Sequence, residues 1–179
     1  DSMPLSNFVS HCRADIFSFD ENAKAVCNDE QFKQQIIAQP SVKEERAKDF
    51  FVSLFHLQHR TVEGVDINIS LGRELHIEHI LPQNFHEQNW GENFTPDTHN
   101  VQHKRFGNLL LLSGPRNRDA DRMKFADKLK RYTRLDESQQ HNPLWGVSLL
   151  DGFNDWTKHN IDIRQERIAN EMVKLWNFS

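Results

Sequence analysis

A mainly helical α+β fold is predicted for this 179-residue chain, from three observations. Apolar residues recur at helical spacing over 41–59 and again over 161–178. Two short apolar runs, 71–81 and 106–112, have the length and flanking turn residues of strands. After the second run, Ser113, Gly114 and Pro115 form a turn into a helix expected from about 116 or 119 to 132. Strand, loop, strand and helix in that order make a ββα unit, packed against the surrounding helices.

In order along the chain, residues 1–39 mix Phe8, Phe17, Phe19, Phe32, Ile36 and Ile37 with polar residues, in short helical segments that Pro40 ends. Ser41 then offers an N-cap with Glu44 three residues on, and Ala47, Phe50, Phe51, Leu54, Phe55 and Leu57 follow as an amphipathic stripe ending near His59. Residues 65–69 alternate apolar and polar as a short strand does, and a turn at Gly72 leads into the run that Pro82 closes. Residues 83–103 are polar, with Gly91 and Pro96, and read as a long irregular loop anchored by Trp90 and Phe94; loops of that length usually carry function or are disordered. A polar connector over 134–143 precedes the last helix, whose apolar stripe is Ile163, Ile168, Met172, Val173, Leu175 and Trp176. The expected division is a helical segment at 1–64 packing on a core of 65–179, with the ββα finger at about 71–132 and C-terminal helices at 143–179.

Composition bounds the function. No apolar run approaches the roughly 20 residues a bilayer requires, and the N-terminus lacks the basic-then-apolar order of a signal peptide. The chain opens on Asp1, so it is expected to be part of something longer. Cys12 and Cys27, without a CxxC spacing, make neither a disulfide framework nor a zinc ribbon, and a reducing cytoplasm is the simplest setting. The net charge of −4 hides an asymmetry: residues 101–134 hold ten Lys or Arg against three Asp, a local +7 that leaves −11 on the rest. A basic segment on an acidic body is the electrostatic footprint of a polyanion site, although solvated helix faces also collect lysines.

The chemistry concentrates at Glu78 and His79. Hydrolysing a phosphodiester with one metal ion needs a base for the attacking water, such as a neutral histidine near pH 7, and a hard cation on oxygen or imidazole ligands for the leaving oxygen. Adjacent strand residues point to opposite faces, so Glu78 and His79 converge on one phosphate only if the chain turns there, as Pro82 suggests. Asn108 opens the second strand, where its amide can hold a backbone or an imidazole. Asn117 sits at the start of the expected helix, placed to offer an oxygen to a cation. His76 shares a strand face with Glu78 and is a further candidate ligand, though a lone histidine is more often structural. His76 to His79 falls one residue short of the zinc-peptidase pattern HxxEH, which is set aside.

Ile-Glu-His-Ile-Leu-Pro at 77–82, Arg-Phe-Gly-Asn-Leu-Leu-Leu-Leu at 105–112, Asn117, Phe125, Lys128, Tyr132, Trp156, Arg167 and Trp176 together resemble the HNH (His-Me finger, ββα-metal) nuclease domain at the C-terminus of GmrSD-like restriction proteins. The likeness covers roughly 71–176 and makes 65–179 an HNH-type domain. It implies His79 as general base, Glu78 and Asn117 as contacts to one divalent cation, Mg²⁺ or Mn²⁺, and Asn108 as the residue that positions the base or braces the finger. It further implies a bacterial anti-phage DNA endonuclease, normally preceded by a nucleotide-hydrolysing, modification-sensing domain. The chain departs from many such enzymes in lacking CxxC zinc knuckles and in ending the motif on Asn117 rather than histidine, a weaker ligand. Lys104, Arg105, Arg116, Arg118, Arg122, Lys124 and Lys128 are expected to contact the DNA backbone, which fixes register without reading sequence. Two rival functions are a DNA-binding lobe that keeps the finger only as scaffold, and an RNase toxin using the same chemistry.

Overall fold

A computed structural model of the chain describes residues 29–63, 75–113, 123–133 and 146–175. Helices α1 (Asp29–Ala38) and α2 (Glu44–Glu63) come first, then strand β1 (Leu75–His79), two short helices α3 (Glu87–Trp90) and α4 (Pro96–Gln102), and strand β2 (Leu109–Ser113). Helices α5 (Phe125–Thr133) and α6 (Lys158–Leu175) complete the order, with 3₁₀ turns at Phe106–Asn108 and Ser148–Leu150.

The strands form an antiparallel ribbon in which His76 faces Leu112, Ile77 faces Leu111, Glu78 faces Leu110 and His79 faces Leu109. Both faces of the ribbon are covered. Leu109 and Leu111 pack with Phe32, Ile36, Phe50, Phe51, Leu54, Ile168 and Met172 from α1, α2 and α6. Leu110 and Leu112 pack with Ile80, Trp90, Phe94, Phe125, Tyr132 and Trp156 on the other side. This explains why β2 is an unbroken run of leucines: alternation marks a strand with one wet face, and this strand has none.

Two polar side chains of α6 tie the layers together. Gln165, fully buried, donates to the carbonyls of Ile36, Ile37 and Gln39 at 2.9–3.1 Å, closing the C-terminal end of α1, while its Oε1 accepts from the Gly107 amide. Arg164 is also fully buried and donates to the carbonyls of Gly107 and Leu109, both at 2.7 Å, and of Gly146 at 3.3 Å. Burial lowers its pKa to about 9, which still leaves the guanidinium charged at neutral pH.

Several elements differ from expectation. The polar stretch at 83–103 is not one irregular loop but carries α3 and α4. Thr95 and Thr98 cap α4 reciprocally and Pro96 occupies its first turn, a local start signal that outweighs the polar composition. Helix α2 begins at Glu44, its first turn closed by the Ala47 amide on the Lys43 carbonyl at 2.9 Å, so Ser41 lies outside the helix and is not its cap. Residues 106–108 form a 3₁₀ turn before β2. After β2, the described helix starts only at Phe125, with Met123 and Lys124 outside it. The strand expected at 65–69, the phenylalanines before residue 29, the connector at 134–143 and Trp176 lie outside the described residues.

Gly107 is where the 3₁₀ turn meets α6. A Cβ at this position would lie 2.1 Å from the Ile161 carbonyl oxygen, and that backbone has no room to yield. Gly107→Ala is therefore expected to destabilise the fold by roughly 2–4 kcal/mol, read as a lower urea midpoint with an unchanged m-value.

Candidate active site

The site is built where β1 ends. Asn108 is fully buried, and its side chain makes four hydrogen bonds. Oδ1 accepts from the Leu81 amide at 2.7 Å and from the Trp156 indole at 2.9 Å; Nδ2 donates to the carbonyls of Leu81 and His103, both at 2.9 Å. The Asn108 carbonyl accepts from the Ile80 amide at 3.0 Å. The turn after His79 is thereby copied onto the side chain of Asn108 much as a strand is copied onto its neighbour. Asn108 braces the backbone around the histidine and makes no hydrogen bond to the imidazole.

Glu78 and His79 face opposite sides of the ribbon. Glu78 is 4% exposed, and its Oε1 accepts from Lys128 Nζ and from the Tyr132 hydroxyl, both at 2.7 Å. Lys128 also donates to the His79 carbonyl at 2.9 Å. Lys128 and Tyr132 stand four residues apart, one turn of α5, so a single helical face delivers both donors. Burial first, and the Glu78 charge second, push the Tyr132 phenol well above its usual pKa, so it stays a donor.

His79 lies on the side of α2 and is 9% exposed. Burial, with smaller contributions from His103 and Lys128, lowers its pKa to about 4, so the ring is neutral at pH 7. Its ring centroid is 6.2 Å from that of His103, which in turn stacks on His99 at 4.8 Å. These two rings are pinned: His99 Nε2 donates to the Pro82 carbonyl at 2.7 Å and His103 Nδ1 to the His99 carbonyl at 2.8 Å. His79 Nε2 stands 3.7 Å from Glu44 Oε1 and 3.5 Å from Gln83 Nε2.

The other expected site residues fall as follows. His76 is exposed on β1 and makes no hydrogen bond or ion pair with the described residues. Asn117, Arg116, Arg118 and Arg122 lie outside the described residues. Lys104 and Lys124 are exposed. Two cations expected on the DNA are turned inward instead: Lys128 is 0% exposed and bound to Glu78, and Arg105 is ion-paired with Asp162 of α6 and reaches the Ile37 carbonyl at 3.5 Å. An ammonium with no exposed surface does not reach a phosphate backbone; the +7 count cannot separate such cations from surface ones. The residues around His79, namely Glu44, Gln83, His99 and His103, were not expected. The i, i+4 spacing of His99 and His103 signals a helix face once 96–102 is read as helical, whereas nothing local ties Glu44 to His79.

Among the described residues no group of three or more His, Cys, Asp or Glu side chains is placed to hold a metal ion. Glu78 is a poor nucleus for one, since its charge is met by a buried ammonium; the described side chains do not by themselves fit the divalent cation implied by the sequence.

Lys128→Met should therefore cost about 3–5 kcal/mol in chemical denaturation, by leaving a buried carboxylate unpaired. The double variant Glu78→Gln/Lys128→Met keeps an acceptor for Tyr132 without the charge and is expected to recover much of that loss.

No solved structure and no curated protein matches the chain. A family model does, over residues 23–171: that of GmrSD restriction endonucleases, C-terminal domain. The match spans α1, the ribbon, the Asn108 turn, α5 and most of α6, and on it this chain belongs to the family of C-terminal nuclease domains of GmrSD restriction endonucleases.

Proposed function

We propose that this domain hydrolyses DNA phosphodiester bonds in the manner of an HNH nuclease, with His79 as the general base. The supporting observation is the state of His79: a neutral imidazole at a strand end, on a turn held by the four hydrogen bonds of Asn108. A neutral ring can take the proton of an attacking water at pH 7, and immobilising it spares the reaction the entropy of collecting the base. Asn108 acts through the backbone, and Lys128 holds the His79 carbonyl and the Glu78 carboxylate in register. The Glu78–Lys128–Tyr132 cluster is part of the scaffold behind the base.

Mg²⁺ or Mn²⁺ is part of this proposal, with the segment around Asn117 supplying ligands that the described residues lack. DNA contact is assigned to the exposed Lys104 and Lys124 together with Arg116, Arg118 and Arg122. A nucleotide-hydrolysing, modification-sensing domain preceding this one, and action against phage DNA in a bacterial cytoplasm, complete the reading. No helix among the described residues is long and apolar enough to cross a membrane.

In a nicking assay on supercoiled plasmid with Mg²⁺ or Mn²⁺, His79→Ala is expected to lose 10²- to 10⁴-fold in rate while still binding DNA. Equal cleavage by the variant would favour the scaffold-only reading and overturn the assignment, and undiminished cleavage in EDTA would remove the cation from it. Total RNA run beside the plasmid separates an RNase from a DNase. Lys124→Ala and Arg118→Ala are each expected to weaken DNA binding and to reduce the slope of log K against log salt by about one. An unchanged slope places the DNA elsewhere.

A further inference from the structure

Trp156 stands two residues before α6, outside the ribbon and outside α5, yet its indole reaches the brace of the base. The ring is fully buried, and its Nε1 donates to Asn108 Oδ1 at 2.9 Å. That same oxygen accepts from the amide of Leu81, two residues beyond His79, at 2.7 Å. The indole also stacks on Phe125, with ring centroids 4.9 Å apart, and lies at 81° to the ring of Phe153. Phe125 is the first residue of α5, the helix that brings Lys128 and Tyr132 to Glu78. The backbone of Trp156 is held as well. Its amide donates to Asp155 Oδ1 at 2.6 Å, and Asn93 Nδ2 donates to both Asp155 carboxylate oxygens, at 2.9 and 3.0 Å, and to the Trp156 carbonyl at 3.3 Å.

Buried indoles usually find an acceptor, so one hydrogen bond is not by itself a part in the site. Trp90 shows that burial alone does not dictate the contact: it is 3% exposed, and its Nε1 has no hydrogen-bond partner among the described residues. A phenylalanine would also stack on Phe125, whereas only an indole N–H reaches Asn108. Two donors on one oxygen fix the tilt of the carboxamide, because each prefers to approach in the amide plane. With the indole donor gone, Oδ1 keeps the Leu81 amide alone, and the carboxamide is free to rock and to carry Leu81 with it. A general base loses rate steeply when its turn shifts by a fraction of an ångström. We propose that Trp156 is a positioning residue for His79: its indole N–H, acting through the Asn108 carboxamide, sets the turn after the base, and its ring ties that turn to the start of α5. This rests on His79 being the base, and it extends the machinery of the site to the C-terminal layer.

The test compares two variants of the whole chain. Trp156→Phe keeps an aromatic ring and loses the N–H; Ile168→Val thins the core packed on the other face of the ribbon. Both are expected to lower the urea midpoint. On supercoiled plasmid, at a temperature where both are folded, Trp156→Phe is expected to lower kcat about tenfold with KM for DNA unchanged, and Ile168→Val to leave both within about twofold of wild type. In hydrogen exchange on ¹⁵N-labelled protein, the Leu81 amide and the Asn108 side-chain amide should lose more protection in Trp156→Phe than the amides of β1 do. A tryptophan that only fills space would lower all of them alike. Should Trp156→Phe fail to fold, β-(3-benzothienyl)alanine at position 156, which keeps the shape of tryptophan with sulfur in place of N–H, gives the same readouts. A kcat equal to that of Ile168→Val, or Leu81 protection that falls no further than that of the ribbon, overturns the proposal. Exchange is read without any cleavage, so a failure of His79 as base, seen as full activity in His79→Ala, is distinguishable from a failure of Trp156 to set the turn.

Discussion

The carboxamide of Asn108 is the constraint on which the rest of the site depends. It is fully buried, and each of its oxygen and nitrogen positions is occupied by a group of the right polarity: two donors on Oδ1 and two carbonyls on Nδ2. A buried polar group satisfied this completely costs little to keep and much to disturb, because any replacement strands several partners in a low-dielectric interior. Those partners come from three places, the turn at Leu81, the C-terminal end of α4 at His103, and Trp156 just before α6. One side chain therefore sets the mutual position of the strand that carries His79, the helix that carries His99 and the C-terminal layer.

The ribbon adds a second division of labour. Both of its faces are covered around Glu78 and His79, and each carries one ionisable residue of that dipeptide. On the α5 side Glu78 is neutralised by an ammonium and a phenol, which makes it a strut between strand and helix. On the α2 side His79 is left without a strong partner, and burial holds it neutral. The pair of residues that looks like a single chemical unit in the sequence is split by strand geometry into an ion-paired half and a neutral half.

How much of this was legible follows from the range of each signal. The ribbon, the amphipathic α2 and the C-terminal helix were readable because their evidence is periodic and local: Ala47, Phe50, Phe51 and Leu54 on one helix, Leu109 to Leu112 on one strand. The bracing role of Asn108 was readable only as one of two options, since its partner Leu81 is 27 residues away and the choice between imidazole and backbone is made by tertiary packing. Helices α3 and α4 were hidden by polar composition, although the Thr95, Pro96 and Thr98 start signal was in plain view. Lys128 was misassigned to the DNA because a charge count has no inside or outside, and only the position of α5 turns that ammonium inward. Glu44 was invisible, since no short-range pattern links the first turn of one helix to the last residue of a strand beyond it.

The buried ammonium of Lys128 has a consequence of another kind. Most lysines of a protein are permanently available to acylating and alkylating reagents, whereas this one is sealed between Glu78, the His79 carbonyl and the ring of Trp90, 6.0 Å away. It meets such a reagent only when α5 has left the ribbon, and an acylated Lys128 no longer carries the charge that Glu78 requires. Acylation of Lys128 by an added reagent would therefore report the opening of α5 from the ribbon, whereas the exposed lysines report only their contact with solvent.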